Sequence, residues 1–253
     1  MPNHIYVILN NAHNYVTLQY HNNTKHIAIY GECNHMKTLA IISQKGGCGK
    51  TTLAVHLAAY ARQQGLYPAI IDLDPQRSSY KWNQRRDEHN TDSPRLDVIE
   101  GTTDKLERLQ SIALKTKVDL LIIDTAPHAN KDAALSIQIA DGALIPCRPS
   151  TFDLDAMLTT LDIVTASSTP ASIILNAARR GKRKVNEARE ALEHIGASVL
   201  NTVIHDWVAL EDSLVDGRAV HEYEPQGKAA EEIALLYRDV TMLLNNKRNG
   251  SKK

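Results

Sequence analysis

From residue 37 onward the chain alternates two patterns. Short runs of aliphatic and β-branched residues occupy 39–43, 67–73, 97–100, 120–124, 142–146, 172–175 and 198–204. Between them lie stretches whose apolar residues recur every three to four positions, at 51–64, 103–115, 153–166, 186–194, 206–215 and 228–244. The runs are apolar at consecutive positions rather than alternate ones, as in strands buried on both faces. Runs of that kind alternating with helices predict βαβ units, hence an α/β fold with a mostly parallel central sheet and helices on both faces. Gly65 is placed to end the first helix. No internal repeat interrupts the alternation.

Residues 1–35 break the pattern. They hold seven Asn, five His and four Tyr, with Lys25 and Glu32 as their charged residues. This stretch is expected to be a poorly ordered extension, with a possible hairpin of 5–9 and 15–20 around 10–14, and Met36 reads as the natural start of the domain. The five histidine positions follow no metal-ligand spacing. The domain is assigned to 36–244, and 245–253, polar and basic, to a flexible tail.

Composition narrows the function only by exclusion. Acidic and basic residues balance at 29 each, so affinity for nucleic acid has to come from a local patch. Cys33, Cys48 and Cys147 form no Cys-x-x-Cys pair, which argues against disulfide, zinc and iron-sulfur frameworks and fits a cytoplasmic location. No apolar run reaches the roughly 18 residues of a membrane span, and the first residues lack the order of a signal peptide.

The chemistry concentrates where strands end. Directly after the first run comes Lys45-Gly46-Gly47-Cys48-Gly49-Lys50-Thr51-Thr52. A glycine-rich strand-to-helix turn ending in Lys-Thr cradles phosphates with its backbone N–H groups, brings an amine to the outer phosphates and offers a hydroxyl to Mg²⁺. Lys50 is the phosphate lysine and Thr51 the Mg²⁺ hydroxyl in that reading, while Cys48 fills the variable slot. The second run ends in Asp72-Leu73-Asp74-Pro75-Gln76, two carboxylates at i and i+2 on one face of a strand end. The run 120–123 delivers Asp124, the acid that accepts hydrogen bonds from Mg²⁺-bound waters. Arg179, Arg180, Lys182, Arg183 and Lys184 place five cations in six positions.

The turn departs from G-x-x-x-x-G-K-[ST], because Gln44 stands where the first glycine would be. With Lys45 ahead of the glycines it resembles the deviant Walker A of the ParA/MinD family, in its small form without a helix-turn-helix domain ahead of the turn. The resemblance extends over roughly 36–240. It implies a P-loop NTPase fold of the deviant class, with ATP and Mg²⁺ as cofactors. Lys45 then crosses a homodimer interface to the partner's nucleotide, Asp74 orients the attacking water, and Asp72 supports Mg²⁺ through water, as Asp124 does. Asn176 reads the adenine edge and Pro225 packs on the base. One departure lies after Asp124, where the family shows Asp-Thr-Pro-Pro and this chain has Ala126 and His128 on either side of a single proline, Pro127.

The function so implied is a partition ATPase for plasmid or chromosome segregation. It dimerises on ATP, binds nonspecific DNA through the basic cluster, and is released by hydrolysis stimulated by a ParB-like centromere-binding partner, at a cytoplasmic, nucleoid-associated location. Two other readings stay open: a MinD-like membrane-cycling ATPase, and a nucleotide-gated DNA-binding scaffold with vestigial hydrolysis. Stable membrane association is not expected, since 242–250 carries no Phe or Trp for an amphipathic anchor.

Overall fold

The computed structural model describes residues 6–10, 15–20, 23–27, 36–89, 94–128 and 130–245. The chain divides into two compact units, Met1–His35 and Met36–Lys253. In the first, β1 (Tyr6–Asn10), β2 (Tyr15–Tyr20) and β3 (Asn23–Ile27) pair antiparallel in that order, Tyr6 opposite Gln19 and Val16 opposite Ile27. The hairpin expected there forms, one strand more extensive than anticipated. The poorly ordered extension was expected over 1–35 and the flexible tail over 245–253; of these, 1–5, 11–14, 21–22, 28–35 and 246–253 lie outside the described residues, while 6–10, 15–20 and 23–27 are strands and Asn245 ends α9.

The second unit runs β4 (Lys37–Ile41), α1 (Lys50–Gln63), β5 (Pro68–Asp72), α2 (Ser78–Glu88) and β6 (Asp97–Glu100). A 3₁₀ turn, Thr103–Lys105, leads into α3 (Leu106–Lys115), followed by β7 (Leu120–Asp124), α4 (Asn130–Ile139), β8 (Gly142–Cys147) and α5 (Thr151–Thr165). The rest is β9 (Ala171–Ala178), α6 (Lys182–His194), β10 (Val199–His205), α7 (Val208–Asp212), α8 (Val220–Tyr223) and α9 (Lys228–Asn245).

The seven strands β4 to β10 form one sheet in the order β10-β9-β8-β4-β7-β5-β6, with every pairing parallel. Successive residues of a strand belong to different cores, which is why the runs are apolar without alternation. Leu39, Ile41, Ile70, Ile122, Leu144 and Ile174 pack with α1 and α9 on one face. On the other, Ala40, Ile42, Ala143, Ile145, Ile173 and Leu175 meet α4, α5 and α6, while Ala69, Ile71, Leu121 and Ile123 meet α3. Each fully buried Ile or Leu contributes about 1.5–3 kcal/mol.

The topology fixes the site. After β4 the chain crosses to β5 and β6, returns to β7 beside β4, then continues on β4's other side with β8, β9 and β10. In an open α/β sheet ligands bind outside the carboxyl ends of the strands where the order reverses, and that point lies at β4, whose end carries the glycine-rich turn. Ile41 pairs laterally with Asp124, and Asp124 with Asp72, so the two acids are delivered side by side to the same edge.

Candidate nucleotide site

Two glycines of the turn need their lack of a side chain. Gly47 and Gly49 adopt φ of +71° and +96°, where a Cβ is strained. At Gly49 a Cβ would also stand 2.2 Å from Asn176 Nδ2. That contact arises because the Asn176 amide donates to the Cys48 carbonyl at 2.7 Å and ties the end of β9 to the turn. Cys48 is fully buried beneath the loop. Lys50 opens α1 and is buried, its Nζ donating to the carbonyls of Ser43 at 3.3 Å and Lys45 at 3.4 Å. The first turn of α1 carries no acidic side chain, leaving its free N–H groups and positive end to an anion.

A cleft of about 410 Å³ opens over this turn. Gly47, Gly49, Lys50, Thr51 and Thr52 line one part of it, with Asp74, Gln76 and Ser78 beside them. Asp74 Oδ1 accepts the Gln76 N–H at 2.8 Å, fixing the loop that carries it. Asp72 is buried, and its carboxylate accepts the N–H groups of Asp74 at 3.0 Å and Tyr80 at 3.1 Å. It therefore braces the loop and the start of α2 as well as standing next to Asp124. Burial raises its pKa, opposed by those two hydrogen bonds.

Asp124 is fully buried, and burial pushes its carboxyl up to about 7. The Ser79 hydroxyl, donating to Oδ2 at 2.6 Å, pulls the other way, as do the nearby Thr51 hydroxyl and Lys50, while Asp72 adds to the rise. Oδ1 is buried with no hydrogen-bond partner. An orphaned carboxylate oxygen beside a hydroxyl and a second carboxylate is an all-oxygen donor set, and it suits Mg²⁺ with part of its water shell retained.

The structure places the sequence-derived candidates unequally. Lys50, Thr51, Thr52, Asp74 and Asn176 line the cleft, and Asp72 and Asp124 lie at the same edge. Lys45 is half-buried in the turn, is not among the residues lining the cleft, and makes no ion pair among the described residues. Pro225 is not among the residues lining the cleft, whose lining includes His205, Asp206, Trp207, Leu210 and Glu211. Arg179 and Arg180 line a second cavity, of about 540 Å³, with Trp207, Glu224 and Lys228, and Arg183 pairs with Glu187 at 2.8 Å. Lys184 is exposed on the first turn of α6, whose first residue is Lys182.

Sequence reasoning missed Ser79, Arg148 and the His205-Asp206-Trp207 strip. Arg148, exposed after β8, lines the cleft without an ion pair among the described residues. Of the four non-glycine residues with positive φ among the described residues, Arg77 and His128 fall in loops that follow strand ends at this edge and Ala177 lies next to the last residue of β9. Strained backbone of that kind gathers at functional sites, and Ala177, at φ +49°, lines the cleft itself.

A parallel sheet with a glycine-rich turn and a buried acid at its switch point defines a P-loop nucleotide-binding domain. Sequence comparison gives its lineage: residues 39–220 match the CobQ/CobB/MinD/ParA nucleotide binding domain, and the chain belongs to that family. The chain is 30% identical over 214 residues to Maintenance of carboxysome distribution protein A of Gloeobacter kilaueensis, covering 82% of this chain and 93% of that protein. It is 25% identical over 237 residues to the Chromosome-partitioning ATPase Soj of Thermus thermophilus, covering 81% and 95%. The septum site-determining protein MinD of Pyrococcus horikoshii, solved with Mg-ADP, shares the fold at a TM-score of 0.66 with 18% identity, over 83% of this chain and 98% of that one.

Proposed function

We infer that this protein is an ATPase that distributes a cargo by cycling between nucleotide-bound and nucleotide-free states on DNA. The observation that carries the reading is the convergence of Lys50, Thr51, Asp74 and Asp124 at one edge of the sheet, with Lys45 in the same turn making no ion pair among the described residues. ATP is the nucleotide. Lys50 releases its two loop carbonyls and contacts the outer phosphates, and the N–H groups of 46–52 hold the phosphate oxygens. Mg²⁺, held by the Thr51 hydroxyl and through water by Asp124 and Asp72, supplies neutralisation of the phosphate charge. Asp74, on a loop fixed by Asp72, orients the attacking water. Lys45 reaches the phosphates of a second copy, so that ATP joins two chains into a homodimer.

The DNA arm of the reading rests on where the cations lie. Lys184 and Arg183 occupy the first turn of α6, where the helix dipole disfavours positive charge. A phosphate backbone offsets that cost, and contacts of this kind need no base readout. The relatives carry names for two different cargoes, carboxysomes and chromosomes. A ParB-like protein, or a cargo-bound adaptor acting in its place, stimulates hydrolysis, and the location is cytoplasmic and nucleoid-associated.

Phosphate release measured with and without DNA, together with DNA mobility shift with ATP, ADP and no nucleotide, tests the reading. It expects DNA retardation that requires ATP and is lost in Lys50→Ala. Hydrolysis by Lys50→Ala at the wild-type rate refutes the site assignment. Retardation independent of nucleotide refutes the cycle, and ATP-dependent sedimentation with anionic liposomes in place of DNA would move the reading to a membrane-cycling ATPase.

A further inference from the structure

The cleft runs along the sheet edge. Lys50 and the N-terminus of α1 follow β4, and Asp206, Trp207, Leu210 and Glu211, which also line the cleft, follow β10, three strands away. Repulsion from the Asp206 and Glu211 carboxylates leaves the uncharged part of a nucleotide as the fitting occupant of the part beside β10. The His205-Asp206-Trp207 strip is held in place from beneath. Glu232, on α9, accepts the His205 N–H at 2.8 Å and the Trp207 indole N–H at 2.8 Å through Oε2, and its Oε1 lies 2.7 Å from His205 Nδ1. The Arg180 guanidinium stands 4.7 Å from the centre of the Trp207 ring. Trp207 lines both cavities, whereas Arg180 lines the second and is absent from the lining of the first.

We propose that Trp207 is the surface on which the base of the bound nucleotide packs, and that Glu232 is the positioning residue that holds the indole for it. The inference rests on reading the cleft as an ATP site. The indole N–H is already bonded, so what Trp207 offers a ligand is its ring, and stacking a base on an aromatic ring needs no further hydrogen bond. Because Glu232 satisfies three polar groups of the strip at once, the ring is ordered before the base arrives and little entropy is lost on binding.

The test separates base from phosphates by comparing ATP with inorganic tripolyphosphate, each with Mg²⁺, in calorimetry. Trp207→Ala should weaken ATP about tenfold or more and leave tripolyphosphate within about twofold, with Trp207→Phe recovering most of the loss. Glu232→Gln, which removes an acceptor but not the ring, should weaken ATP by a smaller factor with the same selectivity. The chain holds two tryptophans, and Trp82 is buried in α2. In Trp82→Phe, ATP should therefore change the emission of Trp207 while tripolyphosphate leaves it nearly unaltered. ATP affinity unchanged in Trp207→Ala, or ATP and tripolyphosphate weakened equally, overturns the proposal while leaving the ATP reading intact. A wild-type protein that binds neither compound overturns both.

Discussion

Arg86 offers a quantitative test of how the site is supported. Its side chain is 2% exposed. It donates to both oxygens of Glu222 at 2.6 and 2.8 Å, to the Gly217 carbonyl at 2.9 Å and to the Pro94 carbonyl at 3.1 and 3.3 Å. Glu222 is 15% exposed and also accepts the Ala219 N–H at 2.8 Å. The pair bolts α2, whose Ser79 holds Asp124, to α8, and the bond to Gly217 ties it to the segment just before. Arg86→Met keeps much of the volume but strands a carboxylate and loses the bonds to two carbonyls. Breaking a buried pair from one side costs about 3–5 kcal/mol, a large share of the 5–15 kcal/mol typical of a domain. With a urea slope of about 1–3 kcal/mol per molar, the unfolding midpoint should fall by at least about 1 M. Adding Glu222→Gln removes the stranded charge and should return part of the loss, a coupling of about 0.5–3 kcal/mol. Urea unfolding followed by far-UV circular dichroism measures all four proteins of the cycle. A loss below about 1 kcal/mol in Arg86→Met, or a double variant no more stable than Arg86→Met, would refute the reasoning.

Gly217→Ala should destabilise by more than about 3 kcal/mol, because the new Cβ would lie 2.2 Å from Arg86 N at a φ of +79°; a thermal midpoint equal to wild type would count against the packing described. His56 is fully buried, donates from Nε2 to the Leu210 carbonyl at 3.2 Å and has its pKa lowered by burial from 6.5 to about 4. The unfolded chain therefore takes up the proton first, so stability is full above pH 6.5 and falls by up to about 3 kcal/mol as the pH drops to 4. His56→Gln should flatten that acid limb, and an unchanged limb in urea titrations between pH 7 and 4 would disprove the assignment. Lys45→Ala should leave ATP binding within about threefold while abolishing ATP-driven dimerisation, since the lysine makes no ion pair among the described residues; light scattering that still shows a dimer with ATP would remove Lys45 from the interface.

The chemistry nearest the backbone was legible from the chain alone. The turn 45–52 is local: glycine where φ is positive, lysine and threonine at the start of a helix, all within eight positions. The strands were legible because burial on both faces demands apolar residues at consecutive positions, and β6 and β7 fall at the very residues predicted. Helices were legible only where their inward faces are apolar. α2 was not, since its buried stripe is Ser79, Trp82, Asn83 and Arg86. The spacing is helical, but three of the four residues are polar, and two of them reach partners elsewhere: Ser79 finds Asp124, and Arg86 finds Glu222. The helix assigned to 206–215 shrank to Val208–Asp212, because 205–207 is held extended by Glu232 from α9. The start of α6 was placed late because its first turn is cationic and reads as a surface run.

The sequence by itself determined the strands, their alternation with helices and the phosphate end of the site, since each depends on residues within a few positions of one another; the order in which the strands pair was decided by the tertiary structure. The tertiary structure alone decided the far end of the cleft and the setting of Asp124. Those depend on pairs such as Asn176 with Cys48, 128 residues apart, and Arg86 with Glu222, 136 apart. A buried polar group must be satisfied by whatever the fold brings within about 3 Å, and local sequence does not say which strand end or helix that will be.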